Sequence, residues 1–262
     1  MKFPKSLPIS HHAVLEHIVS VLSQDPRICG IGCSGSFASD SMDQYSDLDF
    51  VIAVNPQDYA EVMAQRFDIL NQFEDLLAAF TGEHVGEPRL IISLFNASEP
   101  VHVDFKFVSL PDAAVRVDDT QVLWQRGSCL SDVFATKEPH YPQPDAQWIE
   151  DRFWIWVHYG ATKIARGEYF ETLEFISSLR LVLSPLALQQ AGLTPSGVRK
   201  IEQRLPEFAR QLAKTVATPE KASLISALEQ CITIYLDLRS KESVVVNDKV
   251  KQASLAYLAE IK

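Results

Sequence analysis

The sequence predicts an α+β protein in two parts: a small mixed β-sheet domain over residues 1–140, followed by an all-α helical bundle domain over residues 141–262. Three observations carry this. Strand-like and helix-like patterns alternate in the first half, whereas the second half shows helical spacing almost throughout. Between them, residues 137–144 hold Pro139, Pro142 and Pro144, the best linker candidate in the chain. The charge also divides there: residues 1–140 carry 9 basic and 20 acidic side chains, and residues 141–262 carry 15 and 14, so nearly all of the net −10 lies in the first part.

Taken in order, Ser10 caps a helix over 10–23, with Val14, Ile18, Val21 and Leu22 as its apolar stripe. Asp25-Pro26 ends it. Residues 27–33 read as a short strand running into Ser34-Gly35-Ser36. Residues 47–54 read as a strand, and Pro56 opens a helix over 56–80 with Val62, Phe67, Leu70, Phe73 and Leu77 on one side. Residues 90–95 form an apolar strand, Glu99-Pro100 a turn, 101–108 a clearly alternating strand, and 122–125 a last one. Beyond the linker, 146–166, 169–190, 195–216 and 219–241 have helical spacing. Pro195 and Pro219 each follow a threonine, which fits Thr as N-cap and Pro as first helical residue. The tail, 244–262, is weakly helical. Short connections suit an antiparallel bundle.

Composition excludes several classes. A 47% hydrophobic, 22% charged chain of 262 residues is neither disordered nor collagen-like nor a coiled coil, and it is long enough for a sizeable core. The acidic balance argues against a nucleic-acid coat, which needs a basic footprint, and is compatible with divalent metals or cationic small molecules. No run of about 18 apolar residues reads as a membrane span. Residues 1–12 hold two lysines and two prolines without an apolar core, so no secretion signal is expected. Cys29, Cys33, Cys129 and Cys231 lack metal-site spacing and read as reduced structural thiols of a cytoplasmic protein.

The chemistry concentrates in two stretches. In the first, Gly35-Ser36 follows a strand, and ten residues on, Asp47 and Asp49 stand two apart in an apolar strand. Period-2 geometry places both carboxylates on one face, with Leu48 and Phe50 toward the core. Two like charges so placed repel each other unless a hard divalent cation such as Mg²⁺ sits between them. In the second, Val101, Val103, Phe105 and Phe107 form an apolar face while His102, Asp104 and Lys106 lie opposite. If this strand neighbours the Asp47/Asp49 strand, Asp104 completes a three-carboxylate cluster. Such a cluster can hold two metals that clamp an in-line displacement at phosphorus. Solvated acids in a surface turn are the alternative, but they leave unexplained why Asp47 and Asp49 are embedded in an apolar strand.

These residues resemble the nucleotidyltransferases of the DNA polymerase β superfamily. That pattern is a Gly-Ser turn, roughly ten residues, Asp-x-Asp, and a third carboxylate on a later strand. The resemblance covers residues 27–108. The layout, with a helical domain after the catalytic one, is similar to that of antibiotic adenylyltransferases acting on aminoglycosides and lincosamides. It implies that Gly35 and Ser36 hold the triphosphate, that Asp47, Asp49 and Asp104 bind two Mg²⁺, and that an NTP, with ATP first among donors, gives up its NMP to an acceptor hydroxyl with release of pyrophosphate.

By the same resemblance Glu150 is the candidate general base, although the helix dipole alone favours acids in a first turn, and Asp104 is the other candidate. Lys163 and Arg180 are candidate triphosphate contacts, with Glu171 or Glu174 the other available partners of Arg180. The aromatic run Phe153-Trp154-Trp156-Tyr159 reads as core before site. The expected acceptor is a small hydroxylated molecule, aminoglycoside-like by layout, entering between the domains. Other readings are transfer to a protein or tRNA hydroxyl and a non-catalytic nucleotide-binding regulator.

Overall fold

The computed structural model describes residues 3–262. Met1 and Lys2, the start of the segment read for a targeting signal, lie outside the described residues. The chain divides into two compact units, Met1–Tyr141 and Pro142–Lys262.

The first unit is built on a six-stranded mixed sheet in the order β3-β4-β5-β2-β1-β6, with α1 (Ile9–Leu22) leading into it. The strands are β1 (Ile28–Cys33), β2 (Leu48–Val54), β3 (Leu76–Gly82), β4 (Glu87–Phe95), β5 (Val101–Ser109) and β6 (Gln121–Gln125). Only β2 and β5 pair in parallel; the other pairs are antiparallel. One face carries the main core. Leu48, Phe50, Ile52 and Val54 of β2 and Val101, Val103, Phe105 and Phe107 of β5 pack there with Leu15, Ile18 and Leu22 of α1, and with Val62, Ile69 and Leu70 of α3 (Tyr59–Leu70). Phe50 stacks on Phe105 at 5.5 Å between ring centroids, and this contact fits the register of the parallel pair. The opposite face carries a smaller cluster in which Cys29, Ala53 and Val108 meet Leu130 of α4 (Cys129–Ala135). That approach depends on Gly30, where an added Cβ would stand 2.8 Å from the Leu130 side chain.

The second unit is helical: α5 (Ala146–Ala165), α6 (Tyr169–Gln190), the short α7 (Ile201–Arg204) and α8 (Pro206–Ala213), α9 (Lys221–Arg239) and α10 (Asp248–Glu260). Helix α5 packs against α6, α9 and α10 around its own core. It begins where Asp145 caps it, accepting from the backbone N–H groups of Gln147 and Trp148. No helix among the described residues is long and apolar enough to cross a membrane.

Four sequence expectations need correction. The helix expected over 56–80 ends at Leu70, and Leu76–Gly82 is the edge strand β3. The helix expected over 195–216 is broken into α7 and α8, and neither Thr-Pro step starts a helix, since α7 begins at Ile201 and α9 at Lys221. Ser10 does not cap α1, whose N-cap is Pro8. Helix α4 was not anticipated at all. All four cysteines are free. Burial first of all pushes the Cys29 and Cys231 thiols up to about 12, as suits core positions and not nucleophiles.

Candidate active site

The site forms where β1 ends and β2 begins. Cys33 pairs with Phe50, and the next residue, Ser34, donates its N–H to the Asp49 carbonyl at 2.9 Å. The chain then turns at Gly35, with φ +62°, into the single turn α2 (Gly35–Ala38). An added Cβ on Gly35 would lie 2.4 Å from Asp49 Oδ2. Glycine is therefore required twice over, for the left-handed backbone and for the carboxylate resting against its Cα. Phe37, buried in the main core, anchors the turn from below.

Ser36 Oγ is buried and has no hydrogen-bond partner among the described residues. A buried hydroxyl left in this way is costly unless something else completes it. Here it sits one residue from the glycine that touches Asp49.

The connection to β2 is held by its own turn, by the segment before α1 and by α1. Asp40 accepts from the Ser6 N–H and hydroxyl, and Asp43 accepts from the Tyr45 N–H and, through its side chain, from Ser46. His11, buried on α1, places Nε2 2.6 Å from the Ser46 carbonyl. A carbonyl only accepts, so Nε2 carries the proton. This bond fixes the peptide that leads directly into Asp47.

Register brings Asp49 and Asp104 together, since they are directly opposite one another in the parallel β2–β5 pair. Both are partly buried, and both point away from the main core because their neighbours Leu48, Phe50, Val103 and Phe105 fill it. Asp104 Oδ1 accepts from His102 Nε2 at 2.9 Å along the same strand face. Lys106, next on that face, turns to Glu87 at 2.9 Å; Arg89 first and Lys106 second hold the Glu87 carboxyl down at about 2.

Asp47 is exposed and stands one residue before β2, so it is not part of the strand face as expected. Its charge still reaches the same place. The Cys33 thiol is pushed well up, by burial first, then by the negative field of Asp49 and, more weakly, of Asp47. Among the described residues no three His, Cys, Asp or Glu side chains gather into a metal-binding group, so the expected three-carboxylate cluster is not drawn together as a ready-made cage. Mg²⁺ is ordinarily held by one or two carboxylates, with phosphate oxygens and water completing its shell. Two opposed hard-oxygen donors, a third acid nearby and an incomplete serine hydroxyl fit Mg²⁺ carrying a triphosphate.

The candidates in the helical unit are engaged within it. Glu150 is buried, accepts from Trp154 Nε1 at 3.2 Å and from Tyr235 Oη, and pairs with Arg239 at 3.4 Å. Burial, then the Glu150 carboxylate, pushes the Tyr235 hydroxyl well up. This position makes Glu150 part of the core network and gives it no open edge from which to take a substrate proton. Glu150→Ala is expected to cost about 1–3 kcal/mol by leaving the buried Tyr235 hydroxyl and Trp154 N–H without their acceptor, read from the urea unfolding midpoint. An activity loss at unchanged stability would instead restore it as a base.

Lys163 pairs with Glu168 at 2.6 Å and Glu171 at 2.8 Å. Arg180 donates to the Thr215 carbonyl and hydroxyl, neither of them the glutamate partners expected. Phe153 and Trp154 are core, as the aromatic run suggested. His11 carries no signal in the sequence, and His102 reads there as an ordinary polar residue.

No family model matches the chain, and no curated protein matches it. Among solved structures the chain is similar to an aminoglycoside 6-adenyltransferase from Bacillus subtilis, at 15% identity and a TM-score of 0.42 over 94% of this chain and 96% of that one. It is also similar to a nucleotidyltransferase-like protein from Exiguobacterium sibiricum 255-15, at 13% identity and a TM-score of 0.40 over 95% of this chain and 80% of that one.

Proposed function

We propose that the protein is a metal-dependent nucleotidyltransferase that moves NMP from an NTP, with ATP first among donors, to a hydroxyl of a small acceptor. The observation that carries this reading is the Asp49–Asp104 pair set in register, with Gly35 lying against one carboxylate and the incomplete Ser36 hydroxyl beside it.

Gly35 lets phosphate oxygens come close to the backbone, and Ser36 Oγ donates to one of them. Asp49, with Asp47 and Asp104 near it, would hold Mg²⁺, which supplies charge neutralisation for the triphosphate. Asp104, steadied by His102, orients the acceptor hydroxyl and takes its proton. The acceptor oxygen forms a bond to the α-phosphorus, the bond from that phosphorus to the bridging oxygen breaks, and pyrophosphate leaves with that oxygen. Positioning and electrostatics supply most of the rate. The base therefore sits on the sheet and not at Glu150.

The reading is tested by pyrophosphate release from ATP, GTP, CTP and UTP, with and without Mg²⁺, against aminoglycosides, lincosamides and simple sugars. Turnover that needs both Mg²⁺ and one acceptor class supports it. Tight NTP binding with no pyrophosphate release under any combination points to the regulator instead. Within a working assay, His102→Phe is expected to raise the Mg²⁺ requirement about tenfold, as loss of a partner hydrogen-bonded to a metal ligand commonly does. His102→Gln, which keeps a donor, should recover part of it. Equal behaviour of the two variants would show that the hydrogen bond to Asp104 is idle.

A further inference from the structure

The sheet face that bears Asp49 and Asp104 continues beyond them in an unusual way. Asp104 stands opposite Ile92 of β4, and Ile92 stands opposite Phe80 of β3, so one row runs Asp49, Asp104, Ile92, Phe80 across four strands. The flanking rows place Leu90 opposite Lys106, and Leu94 between His102 and Ala78.

An antiparallel edge whose other face packs on a core normally alternates to polar residues on the solvent side. Here Ala78, Phe80, Leu90, Ile92 and Leu94 are all apolar, and Phe80 and Leu94 remain 53% and 39% exposed. The change is sharp. On β5 the same face carries His102, Asp104 and Lys106, and the apolar strip begins at the next strand. The strip is bounded by the Lys106–Glu87 ion pair on one side and by His102 on the other. Apolar side chains set beside a few convergent polar groups are the usual lining of a small-ligand site.

Its size selects the occupant. Two strand spacings of about 4.8 Å and a four-residue run of about 14 Å make a footprint of roughly 10 by 14 Å. That suits one or two rings. It is far below the roughly 800 Å² per partner that a stable contact between two copies needs.

Resting on the nucleotidyl-transfer reading, we propose that this strip seats the acceptor, and that the acceptor is a hydroxylated molecule with one apolar face rather than a polycation. Its apolar face lies over Ile92, Leu94 and Phe80 while its hydroxyl reaches Asp104. A polycation would find no acid on the strip itself, only the acids at its end.

The test is methyl NMR on the full chain with labelled Ile and Leu, titrated with phenyl β-D-glucopyranoside and, as a matched probe with the same sugar hydroxyls, methyl β-D-glucopyranoside. The expected result is saturable shifts of the Leu90, Ile92 and Leu94 methyls, with an apparent affinity for the phenyl compound at least tenfold above that for the methyl one. Phe80→Ser, at an exposed position, should weaken the phenyl response about tenfold with the remaining methyl spectrum unchanged, and Leu94→Ser should repeat this.

Three outcomes overturn the proposal: no shifts up to the solubility limit, equal response to both glucosides, or strip shifts that follow protein concentration without ligand, which would assign the strip to a second copy. The titration is repeated on Asp49→Asn. Strip shifts in an unsubstituted chain that releases no pyrophosphate with any donor, metal or acceptor would sink the transfer reading alone. Pyrophosphate release without strip shifts would sink this proposal alone.

Discussion

Asp49→Asn is expected to lower Mg²⁺-dependent pyrophosphate release by about 10³-fold or more. The metal's share in a phosphoryl displacement is several kcal/mol, and about 4 kcal/mol corresponds to about three powers of ten. Asparagine keeps the size and one carbonyl oxygen of aspartate but loses the charge that holds the cation. The loss should therefore appear as a raised Mg²⁺ requirement together with a fall in kcat that saturating Mg²⁺ does not fully reverse. The fold should survive, because β2 is held by Leu48, Phe50 and Ile52 in the core and by its ladders to β1 and β5, none of which involves the carboxylate. A thermal midpoint close to that of the unsubstituted chain, together with lost activity, is the expected pair of results. Full activity in Asp49→Asn would remove the residue from the chemistry.

The second large effect is expected at Gly35. An alanine there must adopt φ +62° and bring its Cβ to 2.4 Å from Asp49 Oδ2, inside any real contact. Either the turn or the carboxylate has to move. The strained backbone costs about 1–3 kcal/mol, visible as a lower urea midpoint. A displacement of about 1 Å at a phosphate-holding turn can cost about 10²-fold in rate. The two readouts separate the causes: a loss of stability alone means that only the turn is strained, whereas a rate loss beyond the unfolded fraction means that the turn and carboxylate act as one device. Gly35→Ala with unchanged stability and rate would show that their contact is incidental.

The parts of this site legible in the sequence share one property. An aspartate in an apolar alternating strand is costly, so Asp49 and Asp104 announce themselves, and Gly-Ser between a strand and a helix is a local signal read without tertiary knowledge. The sequence leaves open the parallel register that sets the two acids opposite each other; it comes from packing such as that of Phe50 on Phe105. His11 was not legible, because a histidine on an amphipathic helix gives no hint of a carbonyl partner 35 residues away. Glu150 was misleading for the same reason in reverse. Its first-turn position suggests an accessible acid, while Tyr235 and Arg239, 85 and 89 residues on, enclose it.

In the fold, β3 was hidden because residues 71–75 contain no glycine or proline, so the helical spacing of Val62, Phe67 and Leu70 continues through Phe73 and Leu77. It is pairing with β4, and not local propensity, that makes Leu76–Gly82 a strand. The late start of α7 in the helical unit follows from a residue that the periodicity ignored: the backbone of Gly197 is left-handed, as is that of Lys200 just before α7. Two such residues in four end any regular helix.

In the proposed reaction the Asp49–Asp104 pair and the Gly35-Ser36 turn together transfer a nucleotidyl group. Its most direct test is ATP labelled with ³²P at the α-phosphorus, incubated with the purified chain, Mg²⁺ and the acceptor panel, with products separated and pyrophosphate counted in parallel. The expected result is α-label on an acceptor in equal amount to the pyrophosphate released, abolished by EDTA and by Asp49→Asn. Label that stays on ATP across the whole panel while the nucleotide binds, or transfer that persists undiminished in Asp49→Asn, would contradict it.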